Sequence, residues 1–159
     1  MKRSEYEAKM KALQDEIEAL KKVEIEEDSG RWKPTSGDKY YIINSKGQVL
    51  DDFWADWGKD NACYSIGNCF KTYEEADFAV QKLKVLAELK EFAEPSDAEW
   101  DGDTRHYCIR YNVSKGDFYV DHNSLFRHAI LYFASAEAAH EAIEKVGEGR
   151  IKKYYLEVE

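Results

Sequence analysis

Two stretches of this chain carry the same local signals in the same order. The first opens at Trp32 and reads Tyr40-Tyr41-Ile42-Ile43-Asn44, a Lys46-Gly47 turn, then Gln48-Val49-Leu50. The second opens at Trp100 and reads Tyr107-Cys108-Ile109-Arg110-Tyr111-Asn112, a Lys115-Gly116 turn, then Asp117-Phe118-Tyr119-Val120. β-Branched and aromatic runs separated by Lys-Gly predict hairpins. A third run follows in each, Tyr64 to Phe70 and Ala129 to Phe133, before a helix start. Thr72 with Glu75 forms a capping box for a helix over Ala76 to about Ala93, closed by Pro95, and Ser135 opens a second helix that ends at Gly147. Setting Phe70 on Phe133 brings Thr72 onto Ser135, Glu74 onto Glu137, Ala76 onto Ala139, Ala79 onto Ala142 and Leu83 onto Val146. An internal duplication of a β-β-β-α unit accounts for this order.

The expected fold class is α+β: a long N-terminal helix, then two similar β-β-β-α units. A unit of about 60 residues is marginal alone. The two are therefore expected to share one antiparallel sheet with the helices on one face. In the first of these helices, Ala76, Ala79, Val80, Leu83, Leu86 and Leu89 form the expected buried stripe. The boundaries are residues 1–30 for the helix, 31–95 for the first unit, and 96–159 for the second unit and tail. The tail, with Ile151, Tyr154, Tyr155, Leu156 and Val158, fits a short helix or a last strand equally well.

Over residues 4–27 the apolar positions Tyr6, Met10, Leu13, Ile17 and Leu20 are spaced 4, 3, 4 and 3, an a/d seam. Glu7–Lys11 and Glu18–Lys22 supply i,i+4 support. Two arrangements are open: a homodimer through residues 4–27, or packing of this helix on its own domain.

Charge bounds the function. The chain of 159 residues has 23 Lys and Arg against 32 Asp and Glu, a formal −9. That balance disfavours direct nucleic-acid binding, whose affinity rests on cations neutralising phosphates. The charged N-terminus lacks an apolar signal region, and no window suits a membrane span. Cys63, Cys69 and Cys108 make an odd count with no C-x-x-C pair, as expected of reduced thiols in a cytoplasm.

Motifs for chemistry are lacking. His106, His122, His128 and His140 show no H-x-x-x-H or H-E-x-x-H spacing. Asp121-His122 and His128 flank one loop, and Asp101 and Asp103 lie near His106. The reading is surface histidines and no metal. Neither a G-x-S-x-G elbow nor a phosphate-binding glycine loop is present. An enzyme is disfavoured, and no cofactor is expected.

Acid clusters in two Trp-bearing stretches. The first holds Asp51, Asp52, Asp56 and Asp60 against Lys59, with Phe53, Trp54 and Trp57 interleaved; the second holds Glu94, Asp97, Glu99, Asp101 and Asp103 around Trp100. Aromatics supply contact area and carboxylates supply steering, the combination a protein-binding surface uses. Such a face also competes with DNA for a basic channel. Expected partner-binding residues are Asp51, Asp52, Trp54, Asp56 and Trp57, then Asp97, Glu99, Asp101 and Asp103.

Trp32-Lys33-Pro34 with Gly37 and Tyr40-Tyr41, Gly67-Asn68-Cys69-Phe70-Lys71-Thr72 with Glu74-Glu75-Ala76, Leu83 to Lys90, and Arg150-Ile151-Lys152-Lys153-Tyr154-Tyr155 resemble small phage and prophage proteins of Gram-positive bacteria. The resemblance implies an accessory protein in the cytoplasm of an infected host. Some such proteins inhibit host defence, and several anti-CRISPR proteins are acidic, non-enzymatic and mask a nuclease's DNA-binding surface. The function expected is therefore a non-enzymatic, phage-encoded inhibitor of a bacterial defence system. Its most concrete form is an anti-CRISPR that blocks the basic nucleic-acid groove of a Cas nuclease. The alternatives are a protein sequestering a nucleotide signal through Arg105, Arg110, Arg127 and Tyr111, and a dimeric DNA-associated phage regulator.

Overall fold

A computed structural model describes residues 9–14 and 30–158. The chain divides into two compact units, residues 1–32 and 33–159. Of the first, residues 9–14 are helical, and Met10 and Leu13 are exposed. The rest of the helix expected over 4–27, with Tyr6, Ile17 and Leu20, lies outside the described residues, and so does its pairing.

The larger unit is mixed α+β. Its elements are β1 (Lys39–Ile43), β2 (Val49–Phe53), α1 (Gly58–Ser65), α2 (Tyr73–Lys90), β3 (His106–Asn112), β4 (Asp117–Asn123), α3 (Ala136–Val146) and the short α4 (Glu148–Arg150). The tail is helical, a π-turn over Ile151–Tyr155. No helix among the described residues is long and apolar enough to cross a membrane. Cys63, Cys69 and Cys108 form no disulfide.

The hairpins form for the same local reason. Asn44 Oδ1 accepts from the Lys46 and Gln48 amides, and Asn112 Oδ1 accepts from those of Ser114 and Lys115. Gly47 and Gly116 then close the turns at φ of 72° and 75°, the left-handed region open to glycine. β1 pairs antiparallel with β2, Tyr41 opposite Asp51; β3 pairs antiparallel with β4, Cys108 opposite Asp121.

The expected single shared sheet is replaced by two separate two-stranded sheets. Each third run contributes one bridge only, Phe70 to Tyr41 and Phe133 to Tyr107, each through a reciprocal pair of backbone bonds of 2.8–2.9 Å. The run from Tyr64 to Phe70 is not a strand because Tyr64 and Ser65 end α1. Where a third strand would continue, the Asn68 side chain takes over. Its Oδ1 accepts from the Ile43 amide at 2.7 Å and its Nδ2 donates to the Ile43 carbonyl at 2.8 Å. A side-chain amide reproduces the two bonds of a backbone and stops the sheet there. Replacing Asn68 with alanine leaves both Ile43 groups without these partners. The expected cost is about 1–3 kcal/mol, read as a lower denaturant midpoint at unchanged m-value.

The α2 and α3 starts agree with expectation. Thr72 Oγ1 accepts from the Glu75 amide, and Ser135 Oγ from the Ala138 amide. The buried stripe of α2 differs from the one expected. Ala76, Val80, Val85 and Leu89 are buried and Leu83 is exposed. A step of five residues between Val80 and Val85 turns the buried face by about 140° at 3.6 residues per turn. α2 contacts both strands of the first hairpin, and Tyr73 in its first turn meets Tyr41 edge-on. Val85 and Leu89 join the main core with Ile109, Phe133, Ile143 and Ile151. One helix serves both segments, and residues 33–95 and 96–159 fall in one compact unit. Arg150 fastens the tail to it with two bonds to Glu88, 2.5 and 2.7 Å.

Candidate functional site

The first acidic stretch is largely consumed by the fold. β2 runs through Asp51 to Phe53, placing Asp51 within 3.0 Å of Lys39 and Asp52 against Lys59. The lysines hold both carboxylates below their usual range. Trp54 is 3% exposed, packed edge-on against Tyr40 and Tyr64, a core residue where a surface one was expected. Asp60 is buried. It accepts from the Ala55 and Trp57 amides and the Tyr40 hydroxyl at 2.9–3.1 Å, bonds that lower its pKa, the Ala55 amide foremost. Asp56 stands at φ 57° and accepts from Asn61. Trp57, at 71% exposure, is the one residue of the expected set here that offers a large apolar surface.

The second stretch has a different character. His106, expected at the surface, is 2% exposed at the start of β3. Its Nδ1 lies 2.8 Å from both oxygens of Glu94, not against the sequence-adjacent Asp101 or Asp103. Trp100 stacks on the His106 ring at 3.9 Å and 10°, and Tyr132 meets Trp100 edge-on at 4.9 Å. These four side chains form a pillar under two loops.

Tyr132 carries the upper end of the pillar. Its hydroxyl accepts from the His128 amide at 2.6 Å and the Ala129 amide at 2.9 Å. Asn123 Oδ1 accepts from the Leu125 and Phe126 amides. The loop between β4 and Phe133 is therefore held by its backbone, and Leu125, Phe126 and Ile130 stand out at 69% exposure each. Arg127 joins this loop to the acidic one: its guanidinium lies over Trp100 and donates to the Ser96 carbonyl at 3.3 Å. A cavity of about 520 Å³ opens between them, lined by Glu94, Ser96, Arg127, Ile130 and Tyr132 among others.

Asp97, Glu99 and Asp103 are exposed, and none makes a side-chain bond to another described residue. Asp101 is turned to local use. It accepts from the Thr104 and Asp103 amides and from the Thr104 hydroxyl, which bring its carboxyl down to about 2. A folded pKa below the ordinary 3.8 means this contribution is complete above about 3.8 and lost as pH falls through about 2. The Asp103 and Thr104 amide resonances are expected to shift and exchange faster over that interval in an NMR titration, and in Asp101→Ala to do so already at neutral pH.

Sequence reasoning missed the apolar part of this face, having assigned Ala129 to Phe133 to a strand. The available signal was Leu125-Phe126 and Ile130 without alternation, among Ser124, Arg127 and His128. Three of the residues expected to hold a nucleotide ligand do not converge. Arg127, Arg110 and Tyr111 line three different cavities. The chain matches no family model, no curated protein and no solved structure.

Proposed function

We propose that this chain is a non-enzymatic binding protein that docks the face formed by residues 94–104 and 123–131 onto a basic surface of another protein. The observation that carries this reading is the joining of three well-exposed apolar side chains to three unpaired carboxylates on backbone-anchored loops. Leu125, Phe126 and Ile130 supply the area to be buried, and Asp97, Glu99 and Asp103 supply the charge at its edge. An interface uses such parts as anchors and steering rim. Anchored backbones also reduce the ordering cost of association.

A basic surface that accepts this face is one built for nucleic acid. Inhibition of a bacterial defence nuclease, an anti-CRISPR action by a phage accessory protein, is the concrete form we assign to it. The net charge of −9 supports that choice of partner. Asp51 and Asp52, being paired with lysines, are secondary in this reading, and Trp57 is a separate contact.

Charge reversal separates the two stretches. Lysine at Asp97, Glu99 and Asp103 together is expected to slow association at least tenfold at low salt and to flatten its salt dependence. Lysine at Asp51 and Asp52 is expected to change it less than threefold. Binding kinetics of immobilised chain against a captured basic partner read both. Equal effects from the two sets would place the contact elsewhere.

A further inference from the structure

The geometry points to a metal site nothing above uses: Cys108, Asp121 and His128 form a three-ligand site for a zinc-class divalent cation. Sγ of Cys108, a carboxylate oxygen of Asp121 and a ring nitrogen of His128 all lie within 4.8 Å of one another. Cys108 on β3 stands opposite Asp121 on β4, and the sheet register fixes that pair. Thiolate, imidazole and carboxylate are the donor set zinc takes, with a fourth position left for water. Donors around one zinc ion at bond lengths of about 2.0–2.3 Å stand roughly 3–4 Å apart, so closure needs a movement of about 1 Å. Rotation of the exposed His128 side chain about its anchored backbone supplies it.

The partners of these residues support the assignment. His128 Nδ1 lies 3.1 Å from the Phe126 carbonyl, to which it donates, leaving Nε2 as the lone-pair nitrogen. That outer bond is what orients a metal-ligating histidine. Asp121 Oδ1 accepts from the His122 amide at 2.9 Å, leaving Oδ2 to the cluster. The cluster already holds a cation. Arg110 Nε sits 3.0 Å from Asp121 Oδ2, and its Nη2 donates to His128 Nε2. Positive charge is thus favoured at the place where the three donors meet. A cavity of about 270 Å³ lined by Cys108, Arg110, His128 and Tyr155 lies beside it. Zinc entry displaces Arg110 toward solvent and a proton from the Cys108 thiol. Arg110 is then the competitor of the metal, not a ligand. The site shares His128 with the loop of the docking face, but its test reads metal binding alone and needs no partner.

Cobalt(II) is the probe, added to the full chain under anaerobic, thiol-free reducing conditions and then displaced by zinc. The expected result is one equivalent of cobalt with a thiolate charge-transfer band and tetrahedral visible bands. His128→Ala, on an exposed loop, should weaken binding at least tenfold, and Cys108→Ser should remove the charge-transfer band. Arg110→Met should tighten binding about tenfold by removing the resident cation. Cys63→Ser and Cys69→Ser should leave the spectrum unchanged. Absence of the band in wild type, its survival in Cys108→Ser, or unchanged affinity in His128→Ala overturns the proposal. Should Cys108→Ser fail to fold, the His128→Ala and Arg110→Met affinities decide it.

Discussion

Replacing Leu125, Phe126 and Ile130 together with serine is expected to lower partner affinity about 100-fold while leaving the melting temperature within about 2 °C of wild type. Each side chain is 69% exposed in the free protein, so none contributes much to the core. Apolar burial is worth about 25 cal/mol per Å², and an anchoring side chain at an interface contributes about 1 kcal/mol or more. Three such losses approach the ~2.8 kcal/mol that corresponds to 100-fold. The loop itself should keep its course. Its anchors are Asn123 Oδ1 and the Tyr132 hydroxyl, which the triple variant does not touch. Circular dichroism melting and titration calorimetry against the captured partner read the two halves of the expectation separately.

The second large effect is on stability. Phe133→Ala is expected to cost about 3–5 kcal/mol, a large share of the ~5–15 kcal/mol that holds a small domain folded. Phe133 is wholly buried in the cluster with Val85, Leu89, Ile109 and Ile143. Its backbone also makes the bridge to Tyr107. The substitution leaves that bridge possible and empties the space of a ring, so the transfer and cavity terms add. The corresponding Phe70→Ala should cost less, because Phe70 is only partly buried and lies outside that cluster. Urea unfolding of the two variants side by side gives the difference. Equal losses would mean that the two bridge positions carry comparable cores.

Local signals were legible in the sequence wherever the cause was local. The Asn-led turns at Lys46-Gly47 and Lys115-Gly116, the Thr72–Glu75 box and the Ser135 cap depend on residues within four positions of one another. What depended on distant partners was not legible. Asp51 reads as free acid until Lys39, twelve residues earlier, is seen across the hairpin. Asp60 reads as surface charge until its three donors are assembled around it. His106 has two aspartates nearby in sequence and bonds neither, because Glu94 follows α2 and passes beside Tyr132. The missing shared sheet has the same origin: Asn68 has the right side chain to end a ladder, and only the register shows which backbone it meets.

The site followed that division. The second acidic stretch held its exposed carboxylates because its neighbours are backbone amides and aromatics, not lysines. The first lost most of its set to lysine pairs and to the core. The apolar half of the face went unread because Ile130 falls in the run from Ala129 to Phe133 assigned to a strand, and Leu125 and Phe126 in the loop before it. Only the hydroxyl of Tyr132 and the carboxamide of Asn123 bend that segment outward.

The most direct measurement is differential capture on the immobilised chain from bacterial lysate, with elution by duplex DNA. Wild type and Asp51→Lys/Asp52→Lys are predicted to retain the same basic, nucleic-acid-binding protein and to release it to DNA. Leu125→Ser/Phe126→Ser/Ile130→Ser is predicted to lose it. Retention of that protein by the triple variant, or its failure to leave when DNA is added, would contradict the account.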